Sequence, residues 1–149
     1  MKRLSKVGLV SVVMASLVVA ACNNGDSSAS TLPTVPSPTI NEPPITGDLT
    51  VNGAANFPFA VVGATGGTVT ATLSSLVNTV GGTAATIPIG LSLGIWNGTV
   101  CTVAIDNPKA IVGTSVIGSV TGPGSICVRV YDLGRLTGTV TFTLQVAHP

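Results

Sequence analysis

Three cysteines, one histidine and a sparse set of acids are the side chains of this 149-residue chain best suited to chemistry. Cys22 follows Val19-Ala20-Ala21, the end of an uncharged apolar run that starts at Val7. Cys101 and Cys127 are the other two thiols. In an exported chain such an even pair reads as a disulfide. Closing a loop of about 27 residues would contribute about 3.5 kcal/mol by restricting the unfolded chain. With no histidine near them, the two thiols make a poor metal site. Asp48, Asp106 and Asp132 are widely separated, and calcium asks for six to eight oxygens. His148 is next to the last residue, where a chain is expected to fray instead of holding a general base in a pocket. No Gly-x-Ser-x-Gly elbow is present. No close carboxylate pair suggests glycoside hydrolysis. The glycine-rich segment 63–68 lacks the lysine and the following helix of a phosphate loop. The expectation is therefore a protein without catalytic residues, metal or cofactor.

Recognition is the alternative kind of chemistry. If Ile126, Val128 and Val130 face a core, period-two alternation turns Cys127, Arg129 and Tyr131 outward. The same parity turns Trp96 away from Leu91, Leu93 and Ile95. Trp96, Arg129 and Tyr131 are thus a candidate ligand patch for an envelope glycan. The competing reading has Trp96 covering a sandwich edge beside a hairpin, and Arg129 paired with Asp106 or Asp132. Asn97-Gly98-Thr99 matches a glycosylation sequon, but Asn-Gly is better read as a hairpin turn.

The elements that position these residues begin with an export signal. Lys2, Arg3 and Lys6 form a basic head. The apolar run of about 15 residues is shorter than the roughly 20 that span a bilayer, and small residues close it, as in a secretory signal. The ending Val19-Ala20-Ala21-Cys22 resembles the lipobox of bacterial lipoproteins. That resemblance implies cleavage before Cys22, diacylation of its thiol and acylation of the new amino group. Two or more acyl chains make membrane attachment stable. The expected place is the cell envelope, and Asn23 after the cysteine leans toward the outer membrane. With residues 1–21 removed, three basic residues remain against five acidic ones, a net −2. Such a balance gives no footprint for nucleic acid and no polybasic patch for anionic lipid.

Residues 22–48 are rich in Ser, Thr and Pro, with Pro33, Pro36, Pro38, Pro43 and Pro44 blocking helix and central strand. This stretch reads as a disordered tether. It would span roughly 28 Å as a flexible coil and about 80 Å as polyproline II. Residues 49–149 are enough for one core. Val69–Ser74 and Thr139–Val146 alternate with period two, as half-buried strands do. Leu91, Leu93 and Ile95 form another set, and Val100–Ile105 and Ala110–Val120 are further runs rich in Val, Ile and Thr. Phe57–Val62 opens the domain. Gly81-Gly82, Asn97-Gly98, Asp106-Asn107-Pro108 and Gly122-Pro123-Gly124 read as turns. Short strands at 8–12-residue spacing indicate a sandwich or barrel.

The segments Phe57–Val61, Gly67–Leu73, Gly90–Trp96, Cys101, Ser125–Asp132 and Val140–Val146 together resemble a bacterial pre-peptidase C-terminal (PPC) domain. The resemblance implies an all-β, jelly-roll-like sandwich of about eight strands. Such domains usually follow secreted proteases, and are trimmed or act as accessory binding modules. No protease precedes this one. The roles expected are accordingly structural or interactive. The alternatives are a carbohydrate- or peptidoglycan-binding module, or an accessory factor or inhibitor of a secreted protease.

Overall fold

The computed structural model describes residues 37–63 and 65–149. The signal segment 1–21, Cys22 and the first part of the tether lie outside the described residues. Nine strands follow in order: β1 (Ile40–Asn41), β2 (Ile45–Leu49), β3 (Ala54–Val61), β4 (Gly67–Asn78), β5 (Ile89–Trp96), β6 (Cys101–Ala110), β7 (Ser115–Val120), β8 (Gly124–Tyr131) and β9 (Val140–His148). They form two antiparallel sheets. In the β9 sheet, β1 and β2 pair with β9, and the order continues β9-β4-β7. In the β8 sheet the order is β3-β8-β5-β6.

The pairings are nested: β2 with β9, β3 with β8, β4 with β7, and β5 with β6. The chain is in effect one long hairpin, with its tip at the β5–β6 turn, wound so that its arms split between two layers. That nesting is the jelly roll. At the tip, Asn97 Oδ1 accepts from the backbone N–H groups of Thr99 (3.0 Å) and Val100 (2.8 Å). Gly98 takes a φ of 98°, which favours glycine.

Alternation fills the space between the sheets. From β9, Phe142, Leu144 and Val146 point inward, as do Val69, Ala71 and Leu73 from β4 and Val128 and Val130 from β8. Phe57 meets Phe142 edge to face, with ring centres 5.9 Å apart, a preferred aromatic geometry. Each fully buried Leu, Val or Phe contributes about 1.5–3 kcal/mol. A register shift between Leu73 and Ser75 leaves Ser74 as an extra residue, whose hydroxyl donates to the Thr143 carbonyl (3.0 Å). Inward positions move from odd numbers to Leu76 beyond it, which is what a β-bulge does to parity.

Three expectations need correction. The domain does not begin at Leu49: β1 and β2 lie in the stretch expected as tether. Prolines spare them because Pro43 and Pro44 fall between the strands, while Ile45 to Leu49 are free to pair with Leu144 to Val140. Asp106-Asn107-Pro108 is not a turn but part of β6, an edge strand where a proline's missing N–H costs no ladder bond. The run Ala110–Val120 is not continuous; it reverses at residues 111–114, where Gly113 has a φ of 90°.

Candidate functional site

The outer face of the β8 sheet gathers most of the candidate residues. Cys101 and Cys127 are joined, with Cα atoms 5.8 Å apart. They belong to β6 and β8, which are not neighbours, since β5 runs between them. Strands two places apart are normally about 9.5 Å from each other, so the start of β6 must climb over β5. Gly94 makes this possible. It sits opposite Cys127 on one side, the β5–β6 register shifts beside it, and a Cβ there would collide with the Thr102 carbonyl. Parity holds, since neither cysteine belongs to the inter-sheet core. Yet Cys127 is 0 % exposed.

Tyr131 lies opposite Gly90 in the β5–β8 register, its ring filling the space where a Cβ would be. Its hydroxyl donates to the Asp106 carboxylate, at 2.8 and 2.9 Å from the two oxygens. The Ser92 hydroxyl donates to Asp106 Oδ1 at 2.7 Å. The Arg129 guanidinium stands 5.1 Å from the Tyr131 ring centre, within cation–π range. Burial and the neighbouring Asp106 charge raise the Tyr131 hydroxyl above the usual tyrosine range. Arg129 thus covers the tyrosine instead of pairing with Asp106 or Asp132. Among the described residues the one acid–base contact is between His148 and Glu42.

Trp96 does not join this cluster. It ends β5 opposite Cys101, six residues beyond Gly90, which faces Tyr131. At about 3.3 Å per residue that is roughly 20 Å, with the disulfide between. The expected patch is two separate places: Arg129 with Tyr131, and Trp96 beside the hairpin tip. Asp106 and Ser92 complete the first. Ser92 was legible as outward-facing between Leu91 and Leu93, whereas Asp106 was hidden inside an apparent turn signal.

His148 is the clearest departure. Far from fraying, it is 1 % exposed at the end of β9. Ile40 of β1 pairs opposite it. Its Nε2 is 2.9 Å from Glu42 Oε1, its Nδ1 is 3.1 Å from the Pro149 carbonyl oxygen, and the Phe59 ring lies 5.9 Å away. His148 shares the inward parity of Phe142, Leu144 and Val146, and the strand β1 that sequence reading assigned to the tether pairs beside it.

The remaining acids serve locally. Asp132 accepts from the backbone N–H groups of Asn52 (2.8 Å), Arg135 (2.9 Å) and Leu136 (3.2 Å). Burial pushes its carboxyl up, but these N–H donors, with that of Gly134, outweigh it and hold the carboxyl below its ordinary range. Asp48 accepts from the Thr141 hydroxyl at 2.7 Å. Among the described residues no three His, Cys, Asp or Glu side chains come together as a metal site.

An opening lies between the layers. A cleft of about 440 Å³ is lined by Val61, Leu93, Ile95, Ile105, Gly118 and Val120 among others, none of them charged. Ile95, expected in the core, stands at its mouth and is 63 % exposed.

No protein-family model matches the chain, and no curated protein matches it. Among solved structures it is similar to Aeromonas hydrophila PliG, a periplasmic lysozyme inhibitor of g-type lysozyme. The TM-score is 0.46 at 13 % identity, over 74 % of this chain and 86 % of that one.

Proposed function

We propose that this chain is a lipid-anchored cell-envelope protein, held through Cys22, whose PPC-like sandwich works by interaction and not by catalysis. The observation that carries the non-catalytic part is the closed state of the polar cluster. Asp106 already holds the Tyr131 and Ser92 hydroxyls, Arg129 is laid over the tyrosine ring, and His148 is buried at the end of β9 against Glu42. A general base must reach a substrate proton, and these groups are spent on one another. The same stacking weighs against the glycan alternative. A sugar platform needs an open ring face, while one side of Tyr131 lies on Gly90 and Arg129 stands within 5.1 Å of its centre. The anchor rests on the lipobox resemblance, and the outer membrane on Asn23.

Mass spectrometry of the mature protein from its native envelope tests the anchor. The expected amino terminus is a triacylated Cys22; an unlipidated start elsewhere removes it. Incubation with purified peptidoglycan sacculi tests the interaction class. The expected result is no co-sedimentation. Binding that is lost on Tyr131→Ala favours the peptidoglycan module instead, and a secreted protease that co-purifies and is inhibited favours the accessory-factor reading.

A further inference from the structure

The two sheets of a sandwich leave four edges, and an unprotected edge invites another strand. Three edges here are guarded. The β1–β2 edge is broken by Pro43 and Pro44 and carries Asp48; β3 contains Pro58; β6 contains Asp106, Pro108 and Lys109 and pairs irregularly with β5. The fourth edge is β7, Ser-Val-Ile-Gly-Ser-Val, with no proline, no charge and an unbroken register against β4. No charged residue occurs anywhere in residues 110–124.

The hydrogen-bond parity of this edge can be worked out. The Leu73 N–H donates to the Thr114 carbonyl at 3.0 Å, so that opposed pair is a bonded one. Bonded and non-bonded pairs alternate along an antiparallel ladder. Val116, opposite Ala71, and Gly118, opposite Val69, therefore spend their backbone groups on β4. Ser115, Ile117 and Ser119 point theirs away from β4, toward the side on which no described strand lies. All three residues are exposed, Ile117 by 60 %. Ile117 is also one of seven among the twelve exposed large hydrophobics that fall between Ile95 and Ile117.

We infer that β7 pairs antiparallel with β7 of a second copy of this chain, about a two-fold axis at Ile117. This register sets Ser115 opposite the partner's Ser119 and Ile117 opposite its own copy. It is the one antiparallel register in which all three outward-bonding residues of each strand meet outward-bonding residues of the other. It also places Val116 opposite glycine 118 of the copy, so the bulkier inward side chain faces the one without a Cβ. The uncharged stretch lets two copies of like net charge approach without repulsion there. An isologous contact of this kind closes on itself, and the two β9 sheets become one continuous sheet. The inference is independent of the anchor at Cys22.

Ile117→Cys tests the axis directly, because only a self-paired position can cross-link to itself. Bonded antiparallel residues have Cα atoms about 5.5 Å apart, within disulfide reach. Mild oxidation of the full-length protein in native envelopes should give a covalent dimer that reverts on reduction. Val80→Cys, on the exposed turn after β4 (89 % exposed), should give none. Purified full-length protein in detergent should sediment as a dimer, and Ile117→Lys as a monomer with unchanged circular dichroism. Monomeric sedimentation of the parent protein overturns the inference. So does an Ile117→Cys variant that stays monomeric or cross-links to a different polypeptide, or a dimer that survives Ile117→Lys.

Discussion

The two sheets share a core but treat their outer faces differently. The β8 sheet is stapled on the outside. A disulfide spans β5, an aromatic ring lies on Gly90, and a carboxylate ties β5, β6 and β8 together through Ser92 and Tyr131. The β9 sheet carries isolated hydroxyl contacts instead, such as Thr72 with Ser115 at 2.7 Å and Thr141 with Asp48. The reason lies in β5. Gly90 and Gly94 leave two of its outward positions without a side chain, and glycine in a strand both packs poorly and adds unfolded-state entropy. Its neighbours supply the cover. The lesson is that the side chains most easily mistaken for a binding site are here the ones that compensate for backbone glycines.

Breaking the disulfide tests the contrast most severely. Cys101→Ala with Cys127→Ala should lower unfolding free energy by about 3.5 kcal/mol, read from urea denaturation, and no single substitution on the outer face of the β9 sheet should approach that. Gly94→Ala comes next, at about 2–3 kcal/mol, because the Thr102 backbone must move; an effect below about 0.5 kcal/mol would show that β6 does not press on β5. Asp132→Ala should cost about 2 kcal/mol by leaving its backbone donors unmet. It also fixes a pH window. Because the folded carboxyl sits below its ordinary range, its stabilisation is present above the unfolded value near 3.9 and fades as pH falls through the folded one. The parent protein should therefore melt at progressively lower temperature below about pH 4, with a shallower loss in the variant.

Tyr131→Phe should cost about 1 kcal/mol, measured by the same denaturation. Tyr131 is the chain's single tyrosine, so ultraviolet titration reports it alone. Ionisation should come later than in the unfolded chain. The folded value is raised, so its stabilisation is present below the unfolded value near 10 and is lost as pH rises past it. Thr72→Ala, on the β9 sheet, should change stability by no more than about 0.5 kcal/mol. A larger loss there would erase the distinction between the sheets.

The sequence speaks plainly where one face is wet and one dry. Val69 to Leu73 and Val140 to Val146 alternate cleanly, and β4 and β9 are found there. The cysteine pair and the Asn97-Gly98 tip are equally readable, because their chemistry is local. What is hidden depends on partners distant in sequence. Ile45 to Leu49 look like tether until β9 lies beside them. His148 looks frayed until β1 pairs beside β9 and Phe59 comes near its ring, and Glu42 has no visible purpose before then. Trp96 and Tyr131 share a parity, but parity says nothing of distance along a strand. Asp106-Asn107-Pro108 has the composition of a turn, and only its place on an edge strand lets it remain extended.

The two residue pairs of β1, Ile40 with His148 and Asn41 with Ala147, have a mechanical meaning. Tension arriving from the amino-terminal side meets the Ser37–Thr65 hydroxyl contact (2.6 Å) first and then these two pairs. β1 is therefore the first strand to yield, with the Glu42–His148 contact as its pin. The ladder of β2 on β9 stands behind it as a second stop. The disulfide is in the other layer, outside this load path. Release of β1 gives a few residues of slack before the sandwich itself is disturbed.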